Sequence, residues 1–413
     1  MSIMYLRNIK EWCALALCLS IPISTTLTSI LVVCIIALFL LQAVLQTPSY
    51  QENVRALYAL PVTKICLSFF IIFLAGMLYT TAPLSDSLQT VKKMSSLLML
   101  PLFIELYASA KVRQQALMLF LWVMFCSAVL GILKLHLSWP ILHQSRFVEA
   151  AFFKDHIFTN FMMGYAAFVL SHWSLHWTTS KKLFSWGIIV FFLYYIFFIS
   201  NGRSGYVIGL SFMALFGWQQ GRWKGFVVTS LCALLVLCFA YNFSDIFQKR
   251  VINVYHTLYH SSAHSSFAAI NEHSAEAAVS QRIEFIQNCK QLIKDKFWIG
   301  WGTGSFKFQY AHYAAINKWQ PIDNPHNEYI YILVQLGIIG LASFIAFLNR
   351  LWFFACKLPK FEQCLAQGMV VGLSIGCLAN SWLSDFTSRY FFMCMLAICF
   401  ATYNKNIENR YNV

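Results

Sequence analysis

The chain alternates long apolar runs with short polar breaks, and one segment departs from that rhythm. From Asn242 to Asn324 the sequence is polar. At Asp323-Asn324-Pro325-His326-Asn327-Glu328-Tyr329 it runs back into the apolar stretch Ile330 to Leu341. Twelve runs qualify as membrane spans: Trp12–Ile23, Leu27–Leu45, Ile65–Tyr79, Met94–Ala108, Ala116–Leu135, Ile157–Leu175, Phe184–Ile199, Tyr206–Trp218, Phe226–Tyr241, Tyr329–Phe354, Leu365–Leu383 and Tyr390–Tyr403. Several are shorter than the ~20 residues a crossing helix needs, so flanking polar residues must complete them. The pattern predicts an all-α polytopic membrane protein of about twelve transmembrane helices with one long loop. It divides the chain into a bundle of nine spans (1–241), the loop (242–324) and three further spans (325–413).

Inside the loop, Glu276 to Lys296 reads as a helix whose apolar face is Val279, Ile283, Ile286 and Ile293. Gly300-Trp301-Gly302-Thr303-Gly304 is a turn-rich break, and Tyr310 to Trp319 is a weaker helix. At the loop's end Asn324 reads as an N-cap with Pro325 in the first helical position, which places His326 and Asn327 in the first turn. Free N–H groups and the positive end of the helix dipole attract anions there and disfavour an imidazolium. His326 is therefore expected to be neutral and able to accept a proton. The plainer alternative is a polar cap that closes the loop.

Composition agrees with the span pattern. The chain is 59% hydrophobic and only 11% charged, where soluble domains carry about 25% charged residues. The net charge of +14 does not indicate nucleic acid, because the cations are scattered between apolar runs rather than gathered in a stripe. With the N-terminus inside, fifteen Lys and Arg fall in inner segments and seven in short outer ones, the latter including Arg146, Lys154 and Arg203. That bias puts both termini in the cytoplasm and the long loop outside. The start resembles a signal peptide, but another apolar run follows at once, and it reads as a retained first span. The thirteen cysteines form no CxxC metal pattern or disulfide framework.

Candidate chemistry lies with the outer cations and His326. Arg203, in Asn201-Gly202-Arg203-Ser204-Gly205 between two apolar runs, is either an anion clamp or a snorkelling span end. Arg282 sits at the margin of the loop helix's apolar face. Arg146 and Lys154 flank the sixth span. His256, His260 and His264 share a helical spacing, without the glutamate of a zinc-protease motif. Glu105 is the clearest intramembrane charge. The paired broken helices and midplane charges of ion-coupled transporters are not evident.

In their order, several motifs make the chain resemble the bacterial O-antigen ligases, within the group that includes O-antigen polymerases and protein O-oligosaccharyltransferases. They are Asn201 to Gly205; Ser280-Gln281-Arg282; Phe297-Trp298-Ile299-Gly300-Trp301-Gly302-Thr303-Gly304; Pro325-His326-Asn327-Glu328-Tyr329; and Leu336-Gly337-Ile338-Ile339-Gly340-Leu341. The resemblance implies a C-type glycosyltransferase fold in the bacterial inner membrane with its active site facing the periplasm. The implied reaction moves a glycan from undecaprenyl pyrophosphate to a lipid A-core sugar, inverting at the anomeric carbon and requiring no metal or other cofactor. Its partners are the lipid-linked donor, the lipid A-core acceptor and membrane lipids, with no nucleic acid. By the same resemblance His326, Arg282 and Arg203 are the catalytic residues. Arg146 and Lys154 are weaker pyrophosphate clamps, and Asn327 and Tyr329 orient donor or acceptor. A polymerase, a protein glycosyltransferase and, outside enzymes, a polysaccharide exporter or flippase remain alternatives. The single His326-Asn327 pair leans away from a protein acceptor, because protein-acting relatives often double it.

Overall fold

The structure, a computed structural model, describes residues 3–45, 49–137, 150–200, 202–245, 247–249, 251–252, 255 and 275–403. Among these residues the regular structure is helical. In chain order the helices are α1 (Ile3–Ile23), α2 (Thr25–Leu45), α3 (Ser49–Ala59), α4 (Pro61–Met77), α5 (Leu84–Met94), α6 (Leu100–Leu106), α7 (Ala110–His136), α8 (His156–Ser174), α9 (Thr179–Tyr194), α10 (Arg203–Phe243), α11 (Ala275–Asp295), α12 (Phe306–Asn317), α13 (Glu328–Ala355), α14 (Lys360–Ala379) and α15 (Phe386–Phe400). A 3₁₀ segment, Ser95–Met99, joins α5 to α6, and a π-helical turn, Tyr195–Ile199, extends α9.

Among the described residues, seven helices are long and apolar enough to cross a membrane, fewer than the twelve runs read from the sequence. The difference has physical causes. Helix α1 carries Arg7, Lys10 and Glu11, and α4 has only 17 residues. Helix α8 has 19 residues and includes Asn160 and His172. The run Met94–Ala108 is divided by the 3₁₀ segment. Helix α10 breaks at Gly221 and Arg222 (φ −133° and +48°). There the chain folds back: a Cβ on Gly217 would collide with the Gly225 carbonyl, and one on Gly225 with that of Gly217. Residues eight apart on a straight helix would be separated by about 12 Å. The 41-residue helix is thus a hairpin closed by glycines, which let two backbones touch in an apolar medium.

One core runs through the bundle. Helices α1, α7, α8, α10, α14 and α15 pack on one another. In this core Phe161 and Tyr165 each meet Phe391 edge to face, and all three are almost wholly buried. Lys10 of α1 and Glu105 of α6 form a buried ion pair. A second, smaller cluster lies outside the bundle. In it Cys289 and Leu292 of α11 and Phe306, Tyr310 and Ala314 of α12 pack on Tyr331 and Val334 of α13. The face of α11 that is buried is therefore Phe285, Cys289 and Leu292. Ile283 and Ile286 are half-buried, so the sequence-read face is rotated from the true one.

Helix α13 is interrupted at Gly337 (φ +64°, ψ −165°). A break exposes backbone groups that hydrocarbon cannot satisfy. Here the loop after α11 satisfies them. The N–H groups of Trp301 and Gly302 donate to the Val334 and Gln335 carbonyls at 3.0 and 2.7 Å, and those of Ile338 and Ile339 donate to Phe297 and Trp298 at 2.9 and 3.4 Å. The Gln335 side chain accepts from Gly304 N–H at 2.6 Å. Thr303 closes the other side, donating from its N–H to Gly76 at 3.0 Å and from Oγ1 to Phe73 at 2.7 Å. The glycine-rich turn is thus a plug between α4 and the two halves of α13.

Gly337 occupies a backbone region that only glycine tolerates, and a Cβ there would strike the Trp298 carbonyl. Gly337→Ala should destabilise the protein by about 1–3 kcal/mol, seen as a lower unfolding temperature in detergent. Gly187→Ala in α9, where nothing lies within 4 Å of the new methyl, should be neutral or stabilising.

Candidate active site

The loop returns to the bundle at residues 324–328, and its geometry differs from the cap expected there. The N-cap of α13 is Asn327, whose Oδ1 accepts from Ile330 N–H at 3.1 Å. His326 precedes the helix with φ +54°, a left-handed conformation uncommon outside glycine. Asn324 stabilises it, because its Oδ1 accepts the His326 N–H at 2.8 Å and the Ser381 hydroxyl at 2.7 Å. His326 therefore projects from a tight turn rather than from the first turn of a helix.

The other wall is the connection from α14 to α15. Helix α14 ends at Ala379, so Asn380, Ser381 and Trp382 lie beyond the helix rather than within the run Leu365–Leu383. Asn380 Oδ1 lies 3.1 Å from His326 Nδ1. Leu383 N–H donates to the buried Glu328 carboxylate at 3.0 Å. Asn327 Nδ2 donates to the Leu378 carbonyl at 3.0 Å, and the Tyr329 hydroxyl to Ser374 at 2.9 Å. Asn327 and Tyr329 thus tie α13 to α14 and fix the turn that carries His326.

Electrostatics completes this picture. Burial lowers the His326 pKa below its ordinary value. The positive charge of Arg282 on α11 lies near enough to lower it further, against the Asn380 hydrogen bond, which raises it. The expected neutral imidazole follows, but from burial and a neighbouring cation. Arg282 is itself half-buried, and desolvation lowers its pKa too. A proton acceptor and a guanidinium therefore share one partly dehydrated site.

The remaining candidates fall at the same end of the bundle or outside the described residues. Arg203 opens α10, and its side chain lies outside the described part of the structure. The backbone on either side of it packs on α8, where Asn160 Nδ2 reaches the Gly202 carbonyl at 3.5 Å and a Cβ on Gly205 would collide with Asn160. Phe161, next to Asn160, packs against Trp382 with the rings tilted and 4.4 Å between centroids, which links Arg203's helix to the Asn380–Trp382 wall. Lys154 is buried. Desolvation lowers its pKa while Asp385 and Asp155 counter that. Both carboxylates also cap helices, Asp155 on α8 and Asp385 on α15. Arg146, His256, His260 and His264 lie outside the described residues.

Sequence reasoning missed Asn380, Ser381 and Trp382. The signal was present as two polar residues ahead of a tryptophan at the end of an apolar run, but a span prediction absorbed them.

Fold and site together define a polytopic α-helical membrane protein with a histidine and cationic side chains at one end of its bundle. Residues 188–345 match the family model described as O-antigen ligase. The matched stretch runs from α9 into α13 and contains Arg203, Arg282 and His326, so the resemblance read from the sequence holds over this part of the chain. It supports a function of the O-antigen ligase or polymerase type. A search of curated proteins finds no match to the chain.

Because the charged imidazole is disfavoured, His326 should react with diethyl pyrocarbonate with a midpoint below the ordinary 6.5, followed on its own peptide by mass spectrometry. Arg282→Gln removes one of the two causes, and the midpoint should rise. An unchanged midpoint would show that Arg282 does not act on His326.

Proposed function

We propose that the protein is an O-antigen ligase that transfers a glycan from undecaprenyl pyrophosphate to a lipid A-core sugar at the periplasmic face of the bacterial inner membrane. The observation that carries this reading is His326, partly buried in a hydrogen-bonded turn and within the electrostatic reach of Arg282, inside a stretch that matches the O-antigen ligase family. The Lys/Arg distribution supports the orientation, with both termini in the cytoplasm.

The chemistry suits these residues. The acceptor is a sugar hydroxyl, a weak nucleophile, and His326 takes its proton as the oxygen attacks the anomeric carbon. The bond from that carbon to the pyrophosphate oxygen breaks, and the pyrophosphate keeps the electron pair. Arg282 and Arg203 hold the charge that develops there, with Arg146 and Lys154 as secondary contributors. A single displacement inverts the anomeric centre. The leaving group is already a stabilised anion, so fixed cations suffice and neither a general acid nor a metal is required. Asn327 and Tyr329 serve by positioning the turn.

In a strain lacking the gene, lipopolysaccharide should lose its long ladder while polymer accumulates on the lipid carrier, and the intact protein should restore the ladder. His326→Ala should reduce transfer about 10²–10⁴-fold, and Arg282→Ala about 10²–10³-fold, at unchanged membrane levels. A ladder restored by His326→Ala would remove the base assignment. A core carrying a single repeat in the deletion strain would indicate a polymerase instead.

A further inference from the structure

The contact between His326 and the α14–α15 connection says which ring nitrogen is the base. Asn380 Oδ1 accepts the Ser381 N–H at 2.9 Å. That backbone donor fixes which end of the amide is oxygen, because the amide nitrogen has only hydrogens to offer it. The same Oδ1 lies 3.1 Å from His326 Nδ1. An amide oxygen only accepts, so the hydrogen between them belongs to Nδ1, and the lone pair of a neutral ring is then on Nε2.

We propose that Asn380 is a positioning residue that holds His326 as the Nδ1–H tautomer and thereby makes Nε2 the nitrogen that receives the acceptor's proton. The inference rests on the proposed function. Its support is the way one dipeptide holds both parts of the histidine. Asn380 orients the ring, and Ser381 steadies the strained backbone by donating its hydroxyl to Asn324 Oδ1, the atom that also accepts the His326 N–H. Reversing the amide would set its NH₂ against the Ser381 N–H and invert the tautomer. In the transfer step the hydroxyl proton moves to Nε2 as the acceptor oxygen bonds to the anomeric carbon and the pyrophosphate departs with its electron pair.

The surrounding charges leave this assignment to Asn380. Arg282 comes from α11. Within the turn's own segment, Asp323 pairs with Lys307 at 3.2 Å, and the Glu328 carboxylate accepts from Leu383 N–H. The α14–α15 connection presents uncharged Asn380 and Ser381 to the ring and its turn. A neutral acceptor orients the imidazole and favours its protonated form less than a carboxylate there would.

The test compares Asn380→Ala and Asn380→Asp in the full-length protein in membranes, measuring kcat and donor KM across pH. Asn380→Ala should lower kcat about 10- to 100-fold, the loss typical when the partner orienting a functional histidine is removed, with donor KM within about twofold because pyrophosphate binding is left intact. Asn380→Asp keeps an acceptor and adds a negative charge that favours the imidazolium. Its rate should be retained at high pH, and the acid limb of the profile should move to higher pH. An unchanged kcat in Asn380→Ala, or an unmoved acid limb in Asn380→Asp, would overturn the assignment. If Asn380→Ala fails to reach the membrane, the Asn380→Asp profile decides. Wild-type behaviour of both variants beside an inactive His326→Ala would overturn only the tautomer assignment. Full activity in His326→Ala would overturn the base reading as well.

Discussion

The site depends on a hydrogen-bonded closure between residues 324–328 and residues 374–383. The turn before α13 and the first residues of that helix meet the end of α14 and the connection beyond it, and hydrogen bonds run between them. Asn324 with Ser381, His326 with Asn380, Asn327 with the Leu378 carbonyl and Glu328 with Leu383 form one sequence of contacts. Leaving a buried polar group unpaired costs about 1–3 kcal/mol, and the contact to which that applies is the buried one between Glu328 and Leu383 N–H. Because the four contacts join the start of α13 to the end of α14, the imidazole is held by two helices rather than by a free loop. That is the condition for a base to sit within reach of a proton without rearranging at each turnover.

The same economy governs the rest of this end of the bundle. The break in α13 at Gly337 would strand carbonyl and N–H groups, and the glycine-rich turn at 300–304 fills them. That docking anchors the C-terminal end of α11, and Cys289 and Leu292 pack the helix against α13. Arg282 is thereby held where its charge reaches His326. The plug therefore contributes to the placement of a proposed clamp. On another flank, Phe158 and Phe161 of α8 pack against Trp382 with tilted rings and brace the wall that carries Asn380.

The sequence made some of this legible and hid the rest for identifiable reasons. Helical runs were readable because apolar length is a local property. The loop helices were found within a residue or a few residues of α11 and α12, since caps and turn glycines are also local. The hairpin in α10 was anticipated as two runs separated by Gly221 and Arg222. Less legible was anything decided by a partner. Cys289 and Leu292 lie on the buried face of α11 because α12 and α13 cover that side, which no periodicity reveals. His326 lies outside its helix because Asn324 takes its N–H. Asn380 and Ser381 looked like the tail of a span, and their partners lie more than fifty residues away. His326, Arg282 and Arg203 were picked out by residue type and family resemblance, whereas the residues that position them are visible only in the fold.

The most direct test is reconstitution. The purified protein would be placed in vesicles with an undecaprenyl-pyrophosphate-linked glycan and lipid A-core, and the anomeric configuration of the new linkage would be read by NMR. The account predicts glycan attached to a core sugar with inverted configuration and no product from His326→Ala. Retained configuration, or a longer lipid-linked glycan with the core unmodified, would contradict it.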